Sequence, residues 1–246
     1  MVLHIITYAT HSEGLYDKLI YNEFNIKIKV LGWGDKWKGF MEKVRICNEY
    51  IRKLDDNDIV VILDGFDTII NRDGINEIHE FMENSGKKVI FSKNIENHMM
   101  GLERCVFNYC VGKYIANCGM YMGYSKYLNI VLDETLKMKC KDDQVNVNRL
   151  CKNFNFVGID VNNLIFENLS NKYKQSKAVF VQYPGTITLN RSIRAVKEYT
   201  QFFINYLIII NIILVLYFVK FQKKIYFIIL LIFNLILLSY IDTSCI

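Results

Sequence analysis

The chain has 246 residues, a net charge of +5 and 52% hydrophobic residues, which suits one substantial domain with an appendage. Acidic residues are interleaved with basic ones, and the lack of a basic stripe argues against nucleic-acid binding. None of the seven cysteines lies in a C-x-x-C pair or at a zinc-site spacing. We therefore expect mostly reduced, buried thiols, with a disulfide such as Cys140 to Cys151 left open.

The first ninety residues alternate between strand-like and helix-like runs. Short apolar runs predict strands at residues 3–8, 26–31, 58–63 and 87–92. Helical runs are predicted at residues 14–21, 39–54 and 75–82. Because strands and helices alternate in this way, we expect an α/β domain whose mostly parallel sheet carries helices on both faces.

The elements after residue 110 follow a looser pattern. Residues 114–124 form an aromatic run with glycines at 119 and 123, which is typical of a strand close to a ligand. Helices are predicted at residues 128–136 and 147–154, and late strands at 157–161 and 178–183. Pro184, the only proline of the chain, is expected to end the last strand.

The C-terminal part of the chain has a different composition. Residues 202–219 and 225–240 contain no charged side chain, which predicts two membrane spans, the second a short one. We therefore expect a domain at 1–190, a basic juxtamembrane linker at 191–200, and an integral membrane anchor at 201–246 that forms a transmembrane helical hairpin. Basic residues on both sides of the first span leave the orientation open. The lack of a signal-peptide pattern at the start favours the cytosol.

Two carboxylates, Asp64 and Asp67, follow the apolar strand at 58–63 and flank Gly65 and Phe66. The carboxyl end of a central parallel strand is where α/β sheets bind ligands, and Mg²⁺ or Mn²⁺ commonly bridges carboxylates to a diphosphate. The same pattern also suits a strand-to-loop turn. A haloacid-dehalogenase-type phosphatase places its second aspartate two residues after the first rather than three, which weakens that alternative.

Seven segments in the same order carry a resemblance to a known family. They are ITYATH (6–11), KVLGWGDKWKG (29–39), EKVR (42–45), VVILDGFDTII (60–70), KYIANCGMYMGY (113–124), KDDQ (141–144) and QYPGT (182–186). In these segments the chain resembles the glycosyltransferase domain of procollagen lysyl hydroxylases and, more distantly, the collagen galactosyltransferases. The resemblance implies a GT-A-like, Rossmann-type fold that uses a UDP-sugar together with Mn²⁺ or Mg²⁺.

The resemblance also implies three groups of site residues. Asp64, Asp67 and Gln182 match the positions that bind the metal. The positions that match the site for the UDP-sugar are Thr7, Tyr8, Ala9, Thr10, Trp37, Lys43, Asp64, Asn117, Gly119 and Gly185. Asp142 and Asp143 match an acidic run on the acceptor side and are the candidate catalytic residues, although acidic residues also suit the first turn of a helix.

Two features depart from the family's pattern. The family completes its metal site with a histidine where this chain has Gln182, whose amide oxygen can bind a hard cation but is a poor substitute for imidazole. A glycine-rich loop that closes over the sugar nucleotide in the family is missing after Gly39. Both departures bear on whether the chain turns over its substrate.

The sequence therefore predicts a membrane-anchored, metal-dependent glycosyltransferase. It would move glucose or galactose from UDP-glucose or UDP-galactose to a hydroxyl group of a protein or glycan, such as hydroxylysine or its galactose in collagen-like repeats. Two alternatives stay open. One is a catalytically weakened or inactive module that binds nucleotide sugars, and the other is a haloacid-dehalogenase-like phosphatase.

Overall fold

A computed structural model of the chain describes residues 1–95, 106–170, 174–184, 204–220 and 245. The strands in these ranges are β1 (Leu3–Tyr8), β2 (Lys29–Leu31), β3 (Ile59–Asp64), β4 (Thr68–Ile70), β5 (Val89–Lys93), β6 (Ala116–Tyr124), β7 (Val157–Asp160), β8 (Phe166–Asn168) and β9 (Phe180–Gln182). The helices are α1 (Tyr16–Ile20), α2 (Phe40–Ile51), α3 (Ile75–Ser85), α4 (Ser125–Leu136), α5 (Asp143–Cys151) and α6 (Ile204–Lys220). The chain divides into two compact units, Met1–Gly185 and Thr186–Ile246.

The first unit is built on a six-stranded sheet in the order β2-β1-β3-β6-β5-β7. β1 pairs in parallel with β2 and β3, and β5 pairs in parallel with β7. β6 runs antiparallel to both of its neighbours, β3 and β5. The predicted α/β sheet is thus present, but it is a mixed sheet, because one central strand opposes the others. This reversal brings the first residues of β6 to the carboxyl ends of β3 and β5.

Two apolar clusters cover the two faces of this sheet. Because successive strand residues point to opposite faces, Val60 and Ile62 of β3 pack with α2, α4 and α5. Val61 and Leu63 pack instead with α1, α3 and the strands β8 and β9. The predicted apolar stripe of α2 is confirmed by its buried residues Val44, Cys47 and Ile51. Helices therefore flank both faces, as the alternating pattern predicts.

A second, three-stranded sheet has the order β4-β9-β8. β4 and β9 are antiparallel and place Thr68 opposite Gln182, whereas β8 and β9 are parallel. The predicted strand at 178–183 is confirmed as β9, although β4 and β8 are too short to stand out in the sequence. The strand predicted at 26–31 is limited to β2. The small sheet matters because it carries Gln182 toward the end of β3.

A disulfide joins Cys110 to Cys151. It links the segment before β6 to the last residue of α5, and both cysteines are buried. The expectation of reduced thiols is wrong for this pair, and so is the open pairing of Cys140 with Cys151, because spacing along the chain does not show which thiols the fold brings together. Cys47 and Cys118 are free and buried.

The second unit is described mainly by α6. This helix overlaps the first predicted span, at 202–219, whereas the second span, at 225–240, and the linker at 191–200 lie outside the described residues. Within the ranges that the structure covers, none of the helices has both the length and the apolar composition needed to cross a membrane.

Candidate functional site

The candidate site lies where three central strands meet. Tyr8 and Asp64 are aligned at the carboxyl ends of β1 and β3. Because β6 is antiparallel to β3, its first residues reach the same edge. Open α/β sheets bind ligands outside the carboxyl ends of their strands, and the Asp64 side chain is 32% exposed there. The structure thus places Asp64 at the edge where the sequence predicts a ligand.

Lys43 is a buried lysine that connects Asp64 to Asp143. Its Nζ lies 3.0 Å from Asp64 Oδ1 and 2.9 Å from Asp143 Oδ2, and it also donates to the Cys118 carbonyl at 3.2 Å. Burial alone would lower the pKa of Lys43, but the two carboxylates outweigh it and hold the pKa well above its ordinary value. Lys43 therefore stays protonated and balances part of the negative charge of the site.

Gln182 reaches the site from the second sheet. Its Nε2 donates to Asp64 Oδ2 at 3.1 Å and to Asp67 Oδ1 at 2.9 Å. The residue is 2% exposed, and its Oε1 is buried without a hydrogen-bond partner among the described residues. A Cβ atom on Gly119 would overlap this amide, so glycine at that position leaves room for it. The structure thus brings together the three side chains that the resemblance assigns to the metal.

Asp142 and Asp143 are neighbours with different surroundings. Asp142 is the N-cap of α5, where its side chain accepts a hydrogen bond from the Val145 backbone N–H at 2.9 Å. Asp143 is 6% exposed and pairs with Lys43. The expectation that these carboxylates open a helix is confirmed. Of the two, Asp142 is the more exposed.

The segment predicted to cradle the nucleotide lies at the end of β1, beside Asp64. Thr7, Tyr8, Ala9 and Thr10 are all buried. The Thr7 hydroxyl donates to the carbonyl of Leu63 on β3 at 2.8 Å. In this structure, therefore, Thr7 stabilises the pairing of two strands rather than presenting its hydroxyl to a ligand.

The start of β6 contributes a second group of predicted residues. Asn117 Oδ1 accepts a hydrogen bond from the Gly119 N–H at 2.8 Å, and its Nδ2 donates to Asn94 Oδ1 at 3.4 Å. Burial raises the pKa of the Cys118 thiol well above its ordinary value and that of Cys47 to about 12. Both thiols are therefore protonated at neutral pH and are poor nucleophiles.

Aromatic side chains lie near the end of β1. Trp37, one of the predicted nucleotide-binding residues, is 38% exposed, and its ring centroid lies 5.7 Å from that of Tyr8. Trp33 is more exposed and stacks on Tyr16 at 5.0 Å. Trp33 is not among the site residues predicted from the sequence. The two glycines that flank it adopt positive φ angles, and this G-W-G pattern could have drawn attention to an aromatic ring held outward by a turn.

Asp64, Asp67 and Gln182 are the side chains that could hold a divalent cation. Over the described part of the chain, His, Cys, Asp and Glu do not assemble in groups of three or more around a possible metal position, and here the third side chain is an amide. Two carboxylates and an amide carbonyl suit a hard cation, and a half turn of the amide would bring the unpartnered Gln182 Oε1 toward it. These donors fit Mg²⁺ or Mn²⁺. Gly185, also predicted to bind the donor, lies outside the described residues.

Comparison with known proteins gives one matching family and two curated relatives. Residues 1–195 match the model of the PLOD GT domain. The chain is 26% identical, over an alignment of 195 residues, to the "Multifunctional procollagen lysine hydroxylase and glycosyltransferase" of Caenorhabditis elegans, covering 65% of this chain and 26% of that protein. It is 27% identical over 158 residues to the "Procollagen-lysine,2-oxoglutarate 5-dioxygenase 2" of Homo sapiens, covering 58% and 21%. The chain thus spans about a quarter of the length of these relatives.

A solved structure supports the fold. It is the crystal structure of a glycosyltransferase involved in the glycosylation of the major capsid of PBCV-1, with a TM-score of 0.50 and 13% identity. The match covers 76% of this chain and 96% of that chain. At this identity the likeness concerns the fold alone, a mixed α/β sheet with flanking helices of the glycosyltransferase type.

Proposed function

This chain belongs to the family of PLOD GT domains, and from that premise we propose that it is a metal-dependent transferase acting on a UDP-sugar. It would move glucose or galactose to hydroxylysine, or to galactose already on hydroxylysine, in a collagen-like acceptor. The observation that carries the proposal is the convergence of Asp64, Asp67 and Gln182 at the ligand-binding edge of the sheet. The names of the two relatives support a procollagen-like acceptor.

The residues around Asp64 prepare the site for an anionic donor. Lys43 offsets part of the charge of Asp64 and Asp143 and fixes the two carboxylates relative to each other. A bound divalent cation would neutralise the diphosphate leaving group. Trp37, packed against Tyr8 and partly exposed, offers an aromatic face on which a base can stack.

The two acceptor-side carboxylates receive different roles in this proposal. Asp143 is engaged with Lys43, so it positions the lysine. Asp142 is the more exposed of the two, and its capping bond to the Val145 N–H fixes the carboxylate in one orientation. We assign to Asp142 the task of accepting a hydrogen bond from the acceptor hydroxyl, which orients that hydroxyl for attack on the sugar.

Calorimetry of the full chain with UDP and Mn²⁺ tests the proposal. We expect UDP to bind only with the cation, and Asp67→Asn to abolish that binding. Asp56→Asn, which changes an exposed loop aspartate, serves as the matched control and should bind as the unmodified chain does. Hydrolysis of UDP-glucose or UDP-galactose and transfer to a hydroxylysine-containing peptide then measure turnover. Lack of any cation-dependent UDP binding would sink the proposal.

A second candidate is a module that binds a nucleotide sugar without turning it over. It is favoured by the contacts of Asp64, whose two oxygens are both engaged, one by Lys43 and the other by Gln182. Binding of UDP-sugar without detectable hydrolysis or transfer would select this candidate. The same contacts disfavour a phosphatase, because in that enzyme Asp64 would be the nucleophile and would need an oxygen that no other side chain occupies. Hydrolysis of an aryl phosphate that is lost in Asp64→Asn would revive the phosphatase.

The membrane anchor and the location of the domain are further parts of the proposal. The anchor rests on the two uncharged runs at 202–219 and 225–240. The disulfide between Cys110 and Cys151 favours an oxidising compartment for the domain, which differs from the cytosolic location expected above. Alkaline extraction of membranes tests the anchor, since a peripheral protein is released. Protease protection of sealed vesicles tests the side on which the domain lies.

A further inference from the structure

The position of Gln182 between two carboxylates raises the question of what its amide does there. Nε2 donates to both Asp64 and Asp67, while Oε1 is buried and unpartnered among the described residues. A buried acceptor without a donor is costly to the fold. The amide therefore satisfies the carboxylates at the expense of its own oxygen, an arrangement that a cation between these groups would reverse.

The amide is the one part of this group that can present either a donor or an acceptor from the same place. A half turn about its terminal bond exchanges oxygen and nitrogen with little change in shape. With the NH₂ group toward the carboxylates, Gln182 bridges them; with Oε1 toward them, it adds a third oxygen ligand. The backbone stays fixed in both arrangements, because β9 is paired with β4 and β8.

We propose that Gln182 determines the cation preference of this site, completing an all-oxygen donor set that accepts Mg²⁺ about as readily as Mn²⁺. Carboxylate and carbonyl oxygens suit Mg²⁺, Ca²⁺ and Mn²⁺, whereas an imidazole nitrogen adds preference for the later transition metals. The residue at position 182 is thus a selectivity determinant. This inference rests on the proposed function, since it concerns the cation that accompanies the UDP-sugar.

The space around the amide supports this assignment. A Cβ atom on Gly119 would overlap both polar atoms of the Gln182 side chain, so a larger residue at 119 would push the amide away from the carboxylates. Gln182 itself is 2% exposed, and solvent therefore does not readily replace its contacts. The donor presented to a cation is set by the type of residue at 182.

The test measures cation binding directly, without relying on turnover. Free Mn²⁺ is followed by electron paramagnetic resonance as it is added to the full chain with UDP, and Mg²⁺ or Co²⁺ is then used as competitor. In the unmodified chain we expect Mg²⁺ to displace Mn²⁺ at comparable concentrations. In Gln182→His the affinity for Mn²⁺ and Co²⁺ should rise relative to that for Mg²⁺ by on the order of tenfold.

Two further variants serve as controls, one for a change of charge at position 182 and one for displacement of the amide. Gln182→Glu keeps an oxygen donor and adds charge, so it should strengthen Mg²⁺ and Mn²⁺ binding alike and leave their ratio unchanged. Gly119→Ala should weaken all cations by displacing the amide. Thermal melting of each variant shows whether it is folded.

The outcomes separate this inference from the proposed function. If UDP binds with Mn²⁺ but the ratio of Mn²⁺ to Mg²⁺ affinity is the same with glutamine and with histidine, Gln182 does not set the preference, and the transferase proposal stands. If Gln182→His is unfolded, a preference for Mn²⁺ over Mg²⁺ of tenfold or more in the unmodified chain still overturns the inference. If neither chain binds UDP with any cation, both ideas fail.

Discussion

The two ends of β3 each carry an aspartate, and the two aspartates are held in different ways. Asp58, just before the strand, accepts a hydrogen bond from the backbone N–H of Val2 at 2.6 Å, and the His4 ring lies 3.2 Å from its other oxygen. Asp64, the last residue of the strand, is held by the side chains of Lys43 and Gln182, which lie 21 and 118 residues away in sequence. The side chain of Asp58 is 6% exposed, that of Asp64 32%.

This difference separates a structural carboxylate from a candidate site carboxylate. Val2 lies just before β1, and its carbonyl accepts a hydrogen bond from the Ile59 N–H, so its own N–H holds Asp58 against the start of the sheet as part of the fold. Side-chain partners can turn away, as the amide of Gln182 can, while the backbone stays in place. Asp58 is thus buried and held partly by the backbone, whereas Asp64 is more exposed and is held by side chains.

The largest expected effect comes from Lys43→Met, which removes the ammonium shared by Asp64 and Asp143. Leaving the buried carboxylate of Asp143 without its cation should lower the free energy of unfolding by about 3 kcal/mol, as measured by chemical denaturation. Lys126→Met is the control, because its amine lies 4.0 Å from Asp56 in an exposed pair, and it should change the free energy by less than about 0.5 kcal/mol. Equal effects would show that Lys43 is not an essential partner.

Replacing Asp64 and Asp58 in turn by asparagine, which removes the charge and keeps the shape, tests whether the two carboxylates have different roles. Asp64→Asn should weaken cation-dependent UDP binding by on the order of a hundredfold and change the free energy of unfolding by less than about 1 kcal/mol. Asp58→Asn should leave UDP binding unchanged but lower the free energy of unfolding by about 1 kcal/mol, because the bond from the Val2 N–H loses its charged acceptor. Calorimetry and denaturation measure the two quantities, and parallel changes in both variants would break the distinction.

Asp142 caps α5 and is also the carboxylate proposed to bind the acceptor hydroxyl, and its variants should separate these two roles. Asp142→Ala removes the cap of α5 and should lower the free energy of unfolding by about 1 kcal/mol. Asp142→Asn keeps a capping oxygen and should be nearly as stable as the unmodified chain. Both should reduce sugar transfer by on the order of a hundredfold, since neither offers a carboxylate to the acceptor. Normal transfer by the asparagine variant would refute the assigned role.

The smallest expected effect is a pH dependence that belongs to Asp58. Burial raises its pKa, but the Val2 N–H and His4 outweigh burial, so the pKa lies below its ordinary value. Because the pKa of Asp58 is lowered by folding, its carboxylate stabilises the fold at pH values above the pKa of the unfolded chain, about 4. This stabilisation is lost as the pH falls through the pKa of the folded chain. The difference in melting temperature between the unmodified chain and Asp58→Asn should therefore shrink as the pH falls from about 6 to about 3. A constant difference would argue against a charged Asp58.

Local patterns in the sequence predict much of this fold. The run at 58–63 and the stripe of α2 are encoded by nearby residues, and both are confirmed. Asp64 and Asp67 could be placed at a strand end for the same reason. The direction of β6 could not be predicted, because a strand has the same side-chain pattern whether it runs parallel or antiparallel to its neighbours. The prediction of a mostly parallel sheet missed this reversal.

The contacts that define the site are long-range, and no pattern along the chain reports them. Lys43 meets Asp143 a hundred positions later only because α2 and α5 pack on one face of the sheet. The resemblance implied that Gln182 faces the acidic pair, but not that its amide bridges both carboxylates. The disulfide partner of Cys151 could not be chosen either, since any cysteine at a suitable distance in space would serve.

The disulfide between Cys110 and Cys151 closes a covalent ring that includes part of the candidate site. The ring spans a sequence separation of 41 residues and contains β6, α4 and α5, hence both Gly119 and Asp142. One backbone cut inside it would open the ring without releasing a fragment, so a nicked chain would run as one species until it is reduced. The segment that carries Gly119 and Asp142 is in this way tethered at two points, and a single proteolytic cut cannot remove it.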